Sequence, residues 1–327
     1  MTELIDAHGR VVRSLRLSVT DRCNLRCTYC MPASGIAVAP RRQLLAPSDY
    51  AFAVKVACTL GIQHVRLTGG EPLLRPDLLD IVRAIAAVSG LQDLALTTNG
   101  LLLSSKAQAL RDAGVKRLNL SLDALDEQGF RRMTRRGGYD RVVAGLDAAV
   151  AAGFDPIRIN VVALRGENEA MLEAWLDRTM AEPLDVRFLE LMPMGEGAHA
   201  IEAGQFLDLA ALRDRWVSER GLVMGQGSRG NGPARYGKLP GAQGSVGFIT
   251  PLSDPYCDTC SRFRMTATGQ LRPCLAEEIT VDAREAILGR DADALAEAFR
   301  HAAASKPHGH RWQEGVTTPA GMSTLGG

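Results

Sequence analysis

The sequence predicts an α/β fold: an incomplete (β/α)6 TIM-like barrel followed by a C-terminal domain organised around cysteines. Three observations carry this reading. Six short strand patterns alternate with amphipathic helical patterns over the first two-thirds of the 327 residues. Within those strands the polar side chains share one parity and the apolar side chains the other. After Leu191 the rhythm stops, and a glycine-rich stretch leads into a segment with its own cysteines.

The strand patterns cover residues 14–19, 64–68, 93–98, 116–122, 156–162 and 185–191. Between them, residues 140–152 give the clearest helix, with Val142, Val143, Leu146, Ala149 and Val150 on one face. Pro47-Ser48-Asp49, Arg75-Pro76-Asp77 and Ser104-Ser105 read as helix starts, and Gly90, Gly114 and Gly153 as stops. Six βα units in series imply a parallel sheet with right-handed helical crossovers, which lets the sheet curl.

The parity then decides what the sheet encloses. Arg16 and Ser18, Arg66 and Thr68, Asn119 and Ser121, and Arg158 and Asn160 fall on one face of their strands. Leu15 and Leu17, Val65 and Leu67, Leu118 and Leu120, and Ile157 and Ile159 fall on the other and must meet the helices. A closed eight-stranded barrel fills its interior with branched apolar side chains. An interior with several arginines instead predicts an open barrel around an anionic ligand, since only one or two such residues would sit at a solvated sheet end.

Beyond the barrel, residues 205–220 read as one more helix, and residues 221–247 hold nine glycines. Residues 1–220 and 221–327 are therefore expected to be separate domains. Gly232-Pro233-Ala234-Arg235-Tyr236-Gly237-Lys238-Leu239 is close to a phosphate-binding loop, but Leu239 replaces the hydroxyl that would hold magnesium, and no strand precedes it. A loop entering the second domain is the better account. That domain holds a strand at 245–249 and an alanine-rich helix at 292–304.

The 38 basic and 37 acidic side chains leave a net charge of +1, which favours neither nucleic acid nor an anionic membrane. The N-terminus has no apolar core of export type and no run is long enough to span a membrane, which predicts a cytoplasmic protein. In a reducing compartment cysteines are thiolates for metal rather than disulfides. Cys58 stands alone in an apolar helix and reads as a buried small hydrophobe.

The other six cysteines form two sets of three. Cys23, Cys27 and Cys30 make C-x3-C-x2-C just past the first strand, and Cys257 and Cys260 are followed after thirteen residues by Cys274. A structural zinc takes four closed ligands, whereas a 4Fe–4S cluster with three thiolates keeps one iron open for another ligand. The second set thus predicts a C-terminal cluster-binding domain; zinc remains the competing reading on spacing alone.

C-x3-C-x2-C with Tyr29 before its last cysteine resembles the signature of the radical S-adenosylmethionine (SAM) superfamily. The resemblance implies that the open iron is chelated by the methionyl amino and carboxylate groups of SAM, and that an electron then cleaves the sulfonium to a 5′-deoxyadenosyl radical. It implies that Tyr29, Gly70 and Glu71 of Thr68-Gly69-Gly70-Glu71-Pro72, Ser121 and Met192 line the SAM site. Without it, the glycines read as a tight turn, Ser121 as a strand-end hydroxyl and Met192 as a core filler.

The C-terminal run, from Phe248-Ile249-Thr250-Pro251 through Cys257-Asp258-Thr259-Cys260-Ser261-Arg262-Phe263-Arg264 to Leu271-Arg272-Pro273-Cys274-Leu275, is similar to a branch of that superfamily that cyclises GTP in molybdenum-cofactor biosynthesis. This implies a second 4Fe–4S cluster whose open iron binds the guanine edge. It also implies GTP contacts from Arg16, Arg66, Thr97, Arg158, Arg262, Phe263 and Arg264. Arg158 stands where that branch usually has lysine, which keeps the charge and changes the head group. A terminal Gly326-Gly327 is implied to enter the active site; from composition it is a frayed end. The implied chemistry removes hydrogen from ribose C3′ and joins C3′ to guanine C8, with no side chain acting as acid or base. The implied partners are GTP, an external one-electron donor, the next enzyme of the molybdopterin pathway and a second copy of the chain. Two rivals are a peptide-modifying radical enzyme with an auxiliary cluster and a non-enzymatic iron–sulfur redox sensor.

Overall fold

The computed structural model describes residues 3–227 and 232–326. Six strands follow one another in the chain: β1 (Ser14–Ser18), β2 (His64–Thr68), β3 (Asp93–Thr98), β4 (Arg117–Ser121), β5 (Ile157–Ala163) and β6 (Asp185–Glu190). Each pairs in parallel with the next. The connections carry α1 (Pro47–Thr59), α2 (Leu78–Ala86), α3 (Ala107–Ala113), α4 (Glu127–Thr134), α5 (Tyr139–Ala151) and α6 (Leu172–Ala181). After β6 come α7 (Glu196–Glu202), α8 (Leu209–Arg220), β7 (Val223–Met224), β8 (Arg235–Lys238), β9 (Ser245–Ile249), β10 (Arg262–Met265), β11 (Gln270–Arg272) and β12 (Val281–Asp282). The chain ends with α9 (Arg284–Leu288), α10 (Ala292–Ala304) and α11 (Met322–Leu325).

The strands form one open twelve-stranded sheet in the order β12-β11-β10-β1-β2-β3-β4-β5-β6-β9-β8-β7. The strands after residue 221, expected in a separate domain, extend both edges of the barrel sheet: β9 runs parallel to β6, and β10 parallel to β1. This is the incomplete barrel, widened on each side by the C-terminal segment.

The apolar parity packs outward as expected. Leu15, Leu17, Val65, Leu67, Leu118, Leu120, Ile157 and Ile159 are buried together with Ala53, Val54 and Ala57 of α1. Burying each large aliphatic side chain contributes roughly 1.5–3 kcal/mol. Cys58 is buried in the same core.

Four local expectations shift. The helix expected from residue 205 begins at Leu209, because Asp208 caps it by accepting the Ala211 N–H at 2.9 Å. That expected at Ser104-Ser105 begins at Ala107. Val150 is 59% exposed, so the buried stripe of α5 is Val142, Leu146 and Ala149. Within the phosphate-loop look-alike, expected as a loop, Arg235–Lys238 is a strand antiparallel to β9.

Candidate functional site

Both cysteine sets line one cavity. The first set lies on the loop after β1, tied to the end of α4 by the Arg26 N–H donating to the Thr134 carbonyl (3.0 Å) and Thr28 N–H to Met133 (2.9 Å). The Gly-Gly turn after β2 presses against this loop. The Gly70 N–H donates to the Thr20 carbonyl at 2.7 Å, and a Cβ on Gly69 (φ +148) would lie 2.2 Å from that oxygen. A Cβ on Gly70 would lie 2.3 Å from the Arg22 carbonyl, so the approach excludes any side chain.

Glu71, expected to face SAM, spends its carboxylate elsewhere. It accepts from Leu73 N–H (2.9 Å), Thr98 Oγ1 (2.7 Å) and Asn99 N–H (2.7 Å) and is 1% exposed. It is a strut between the β2 and β3 loops, and the turn offers a ligand its backbone. Burial raises its pKa to about 7, although the three hydrogen bonds oppose this. Tyr29 is similarly committed: its hydroxyl donates to Asp123 at 2.7 Å, while Asp123 also accepts Val162 N–H at 2.8 Å. Burial raises Asp123 to about 6. Tyr29, Ser121 and Met192 all border the cavity.

A buried carboxyl with a raised pKa favours the folded state when protonated. That contribution is full below the ordinary carboxyl range and is lost as the pH rises through about 7 for Glu71. The Cys260 thiol, held low, acts in the opposite sense above pH 6, so the Glu71 share is read by difference. In denaturant melts the stability of the Glu71→Gln apoprotein relative to the unaltered one should rise from pH 5 to pH 8; a difference that does not change with pH would contradict the assignment.

Cys257, Cys260 and Cys274 form no disulfide. Arg262 Nη2 lies 3.5 Å from Cys260 Sγ, and its guanidinium stacks 5.0 Å from the Tyr256 ring centroid. Burial alone would raise the Cys260 thiol, but the Arg262 and Lys306 charges outweigh it and bring it down to about 6. Three cysteines in each set leave one iron of a 4Fe–4S cluster open and fall one short of the four ligands of a structural zinc, so the donor set fits a cluster.

The strand register assembles the cations. Arg264, Arg16 and Arg66 are neighbours across β10, β1 and β2. Burial, then the neighbouring guanidiniums, lowers Arg16 to about 10 and holds Arg66 and Arg264 well below the usual arginine range. Like charges side by side on one face are unfavourable until an anion joins them. A second, smaller cavity is lined by Arg16, Arg66, Arg117, Arg187 and Arg262, of which Arg16 and Arg262 also border the first. Thr97 borders the main cavity.

Arg187 was not expected from the sequence. It donates to Tyr236 Oη at 2.5 Å and to Asn119 Oδ1 at 3.0 Å. Its parity with Asp185 and Leu189 in β6 was the signal. Two expected residues lie off both cavity linings. Phe263 is fully buried in the core, because it alternates with Arg262 and Arg264 along β10 and so faces away from the cavity. Arg158 borders neither cavity; it is 1% exposed, with Nε 3.7 Å from Asp185 Oδ2.

The C-terminal tail enters the barrel. Arg264 Nη1 donates to the Leu325 carbonyl at 3.1 Å and to that of Gly326. Gly326 has φ +77, and a Cβ there would lie 2.3 Å from Thr68 Cγ2. Gly327 lies outside the described residues.

Comparison with known proteins adds to this geometry. The Radical SAM superfamily model matches residues 17–179, and the Molybdenum Cofactor Synthesis C model matches residues 184–312. The GTP 3′,8-cyclase of Heliobacterium modesticaldum is 43% identical over 329 residues, covering 99% of this chain and 100% of that protein. That of Erythrobacter litoralis is 43% identical over 317 residues, covering 96% and 94%. Among solved structures, Streptococcus suis SuiB bound to S-adenosylmethionine superposes with a TM-score of 0.58 at 17% identity, covering 88% of this chain and 65% of that one. Native anSMEcpe with bound AdoMet gives 0.55 at 15% identity, covering 88% and 81%. Likeness at such identity shows a shared fold.

Proposed function

The chain belongs to the GTP 3′,8-cyclases, within the radical SAM superfamily, and from that premise we infer that its main cavity holds both reactants between the two cysteine sets. The enzyme converts GTP to (8S)-3′,8-cyclo-7,8-dihydroguanosine 5′-triphosphate, the first step of molybdenum-cofactor biosynthesis, with SAM and two 4Fe–4S clusters as cofactors. The observation that carries the site reading is the meeting of both sets and Arg16, Arg262 and Arg264 on one cavity wall.

On this reading Cys23, Cys27 and Cys30 hold the cluster that binds SAM, and Cys257, Cys260 and Cys274 hold the cluster that meets guanine. Bound there, SAM and its cluster supply a one-electron cleavage that gives a carbon radical able to take hydrogen from ribose C3′. The chain's own work is placement. The Gly69–Gly70 turn presents backbone to the methionyl end, Ser121 faces the ribose and Met192 the adenine. Arg16, Arg66, Arg187, Arg262 and Arg264 receive the triphosphate, for which planar bidentate groups suit. Apolar lining from Leu25, Met31, Phe130 and Leu191 keeps water from the reacting carbon. The tail, seated on Thr68 and Arg264, closes the substrate side.

Residues 1–220 then carry the radical-forming cluster and part of the triphosphate site, and residues 221–327 carry the substrate cluster. An external carrier supplies the electron, the product passes to the next enzyme of the molybdopterin pathway, and the protein acts as a homodimer in the cytoplasm. Among the described residues no helix is long and apolar enough to cross a membrane.

Anaerobic incubation of the reconstituted protein with SAM, dithionite and GTP tests the reading. The expected outcome is 5′-deoxyadenosine and cyclised nucleotide in equal amounts. 5′-Deoxyadenosine without loss of GTP would return the site to a peptide-modifying enzyme, and no 5′-deoxyadenosine would leave a redox protein.

A further inference from the structure

We propose that Asp6, Arg10 and Lys306 form a buried positioning clamp that holds the Cys257–Arg262 loop in the shape the second cluster requires. The three side chains are 0%, 8% and 2% exposed. They line neither cavity. The inference rests on the assignment of the second cysteine set to a cluster.

The geometry is a charged knot among three distant segments. Arg10 Nε donates to Asp6 Oδ2 at 2.7 Å. Its Nη1 donates to the carbonyls of Cys257 (2.8 Å) and His308 (2.6 Å), and its Nη2 to that of Pro307 (2.6 Å). Lys306 Nζ donates to the carbonyls of Cys260 (2.6 Å) and Arg262 (3.3 Å) and lies 3.7 Å from the same Asp6 oxygen. One carboxylate therefore anchors two cations, and each cation grips the backbone of one cysteine of the C-x2-C pair.

The loop itself supplies little of this order. Within it the Cys260 N–H donates to the Cys257 carbonyl at 3.0 Å, closing a single short turn. Its side chains are half-buried or exposed. A cluster demands that its thiolates be placed to within a fraction of an ångström by the groups behind them. Charge-assisted bonds from a guanidinium fork are directional, and out of water they are costly to break. The N-terminal segment is fixed in turn: Leu4 N–H donates to Leu60 (2.9 Å) and Val12 N–H to Leu4 (2.8 Å). The clamp thus references the second cluster to the same core that carries the first.

The test reads iron, not turnover alone. Arg10→Ala and Lys306→Met are reconstituted anaerobically beside the unaltered protein, Cys257→Ala and Cys27→Ala. The clamp predicts a fall from about eight irons per chain to about four in Arg10→Ala. The remaining Mössbauer signal should match that of Cys257→Ala, and SAM cleavage by the first cluster should persist. Lys306→Met should lower second-site iron in the same direction, and Arg10→Lys should restore part of it. A full complement of iron in both clamp variants would overturn the proposal. Equal loss from both sites, or collapse of the apoprotein melt, would also overturn it by making the knot a general fold element. Full iron in Cys257→Ala would instead refute the underlying cluster assignment.

Discussion

Cys274→Ala is expected to reduce GTP cyclisation to background while SAM cleavage continues. Cys274 lies on the loop after β11 and borders the cavity with Cys257 and Cys260, and it has no part in the loop that carries Cys23, Cys27 and Cys30. Two thiolates do not hold a 4Fe–4S cluster with one open iron, so the variant should lose the second cluster and keep the first. The radical is then generated beside a base that is no longer held, and 5′-deoxyadenosine accumulates without cyclised nucleotide. Chromatography of one reaction mixture measures both products. Retained cyclisation would contradict the role of the second set; loss of both products would mean that the sets are not independent.

Arg66→Met is expected to move stability and binding in opposite directions. Arg66 is half-buried beside Arg16 in the row with Arg264, and its guanidinium is held well below the usual pKa by desolvation first and by Arg16 and Arg187 next. A neutral side chain of similar length removes the like-charge repulsion along this row, so the apoprotein should melt at a higher temperature. The same change removes a charge-assisted contact to the triphosphate, worth roughly 1.5–3 kcal/mol. GTP affinity should fall by about 10- to 100-fold. Melting of the apoprotein and calorimetric titration with GTP read the two effects separately. A lower melting temperature with unchanged affinity would make Arg66 a structural residue.

The trade-off explains which parts of the site were legible in the sequence. Period-two alternation placed Arg16, Ser121 and Asn160 toward the main cavity and Arg66 toward the smaller one, because facing is a local property of a strand. The same rule, applied to β10, already forbade Phe263 from joining Arg262 and Arg264, and applied to β6 it would have found Arg187. Glu71 and Tyr29 border the cavity, but their hydrogen-bond partners were hidden. The Thr98 and Asn99 groups that bind Glu71 and the Asp123 that binds Tyr29 come from other strand ends. The clamp lay further out of reach: Arg10 meets carbonyls 247 to 298 residues away, and no local pattern announces such a contact. The expected division into two domains rested on the end of the βα rhythm. What composition did not reveal is that β9 and β10 would add to the two edges of the first sheet.

The central claim is that the radical made at the first cysteine set reaches a nucleotide held at the second. Turnover of [3′-²H]GTP with unlabelled SAM measures that directly. Mass spectrometry should find one deuterium in the 5′-deoxyadenosine formed alongside cyclised product. 5′-Deoxyadenosine free of deuterium, with GTP consumed, would contradict the arrangement.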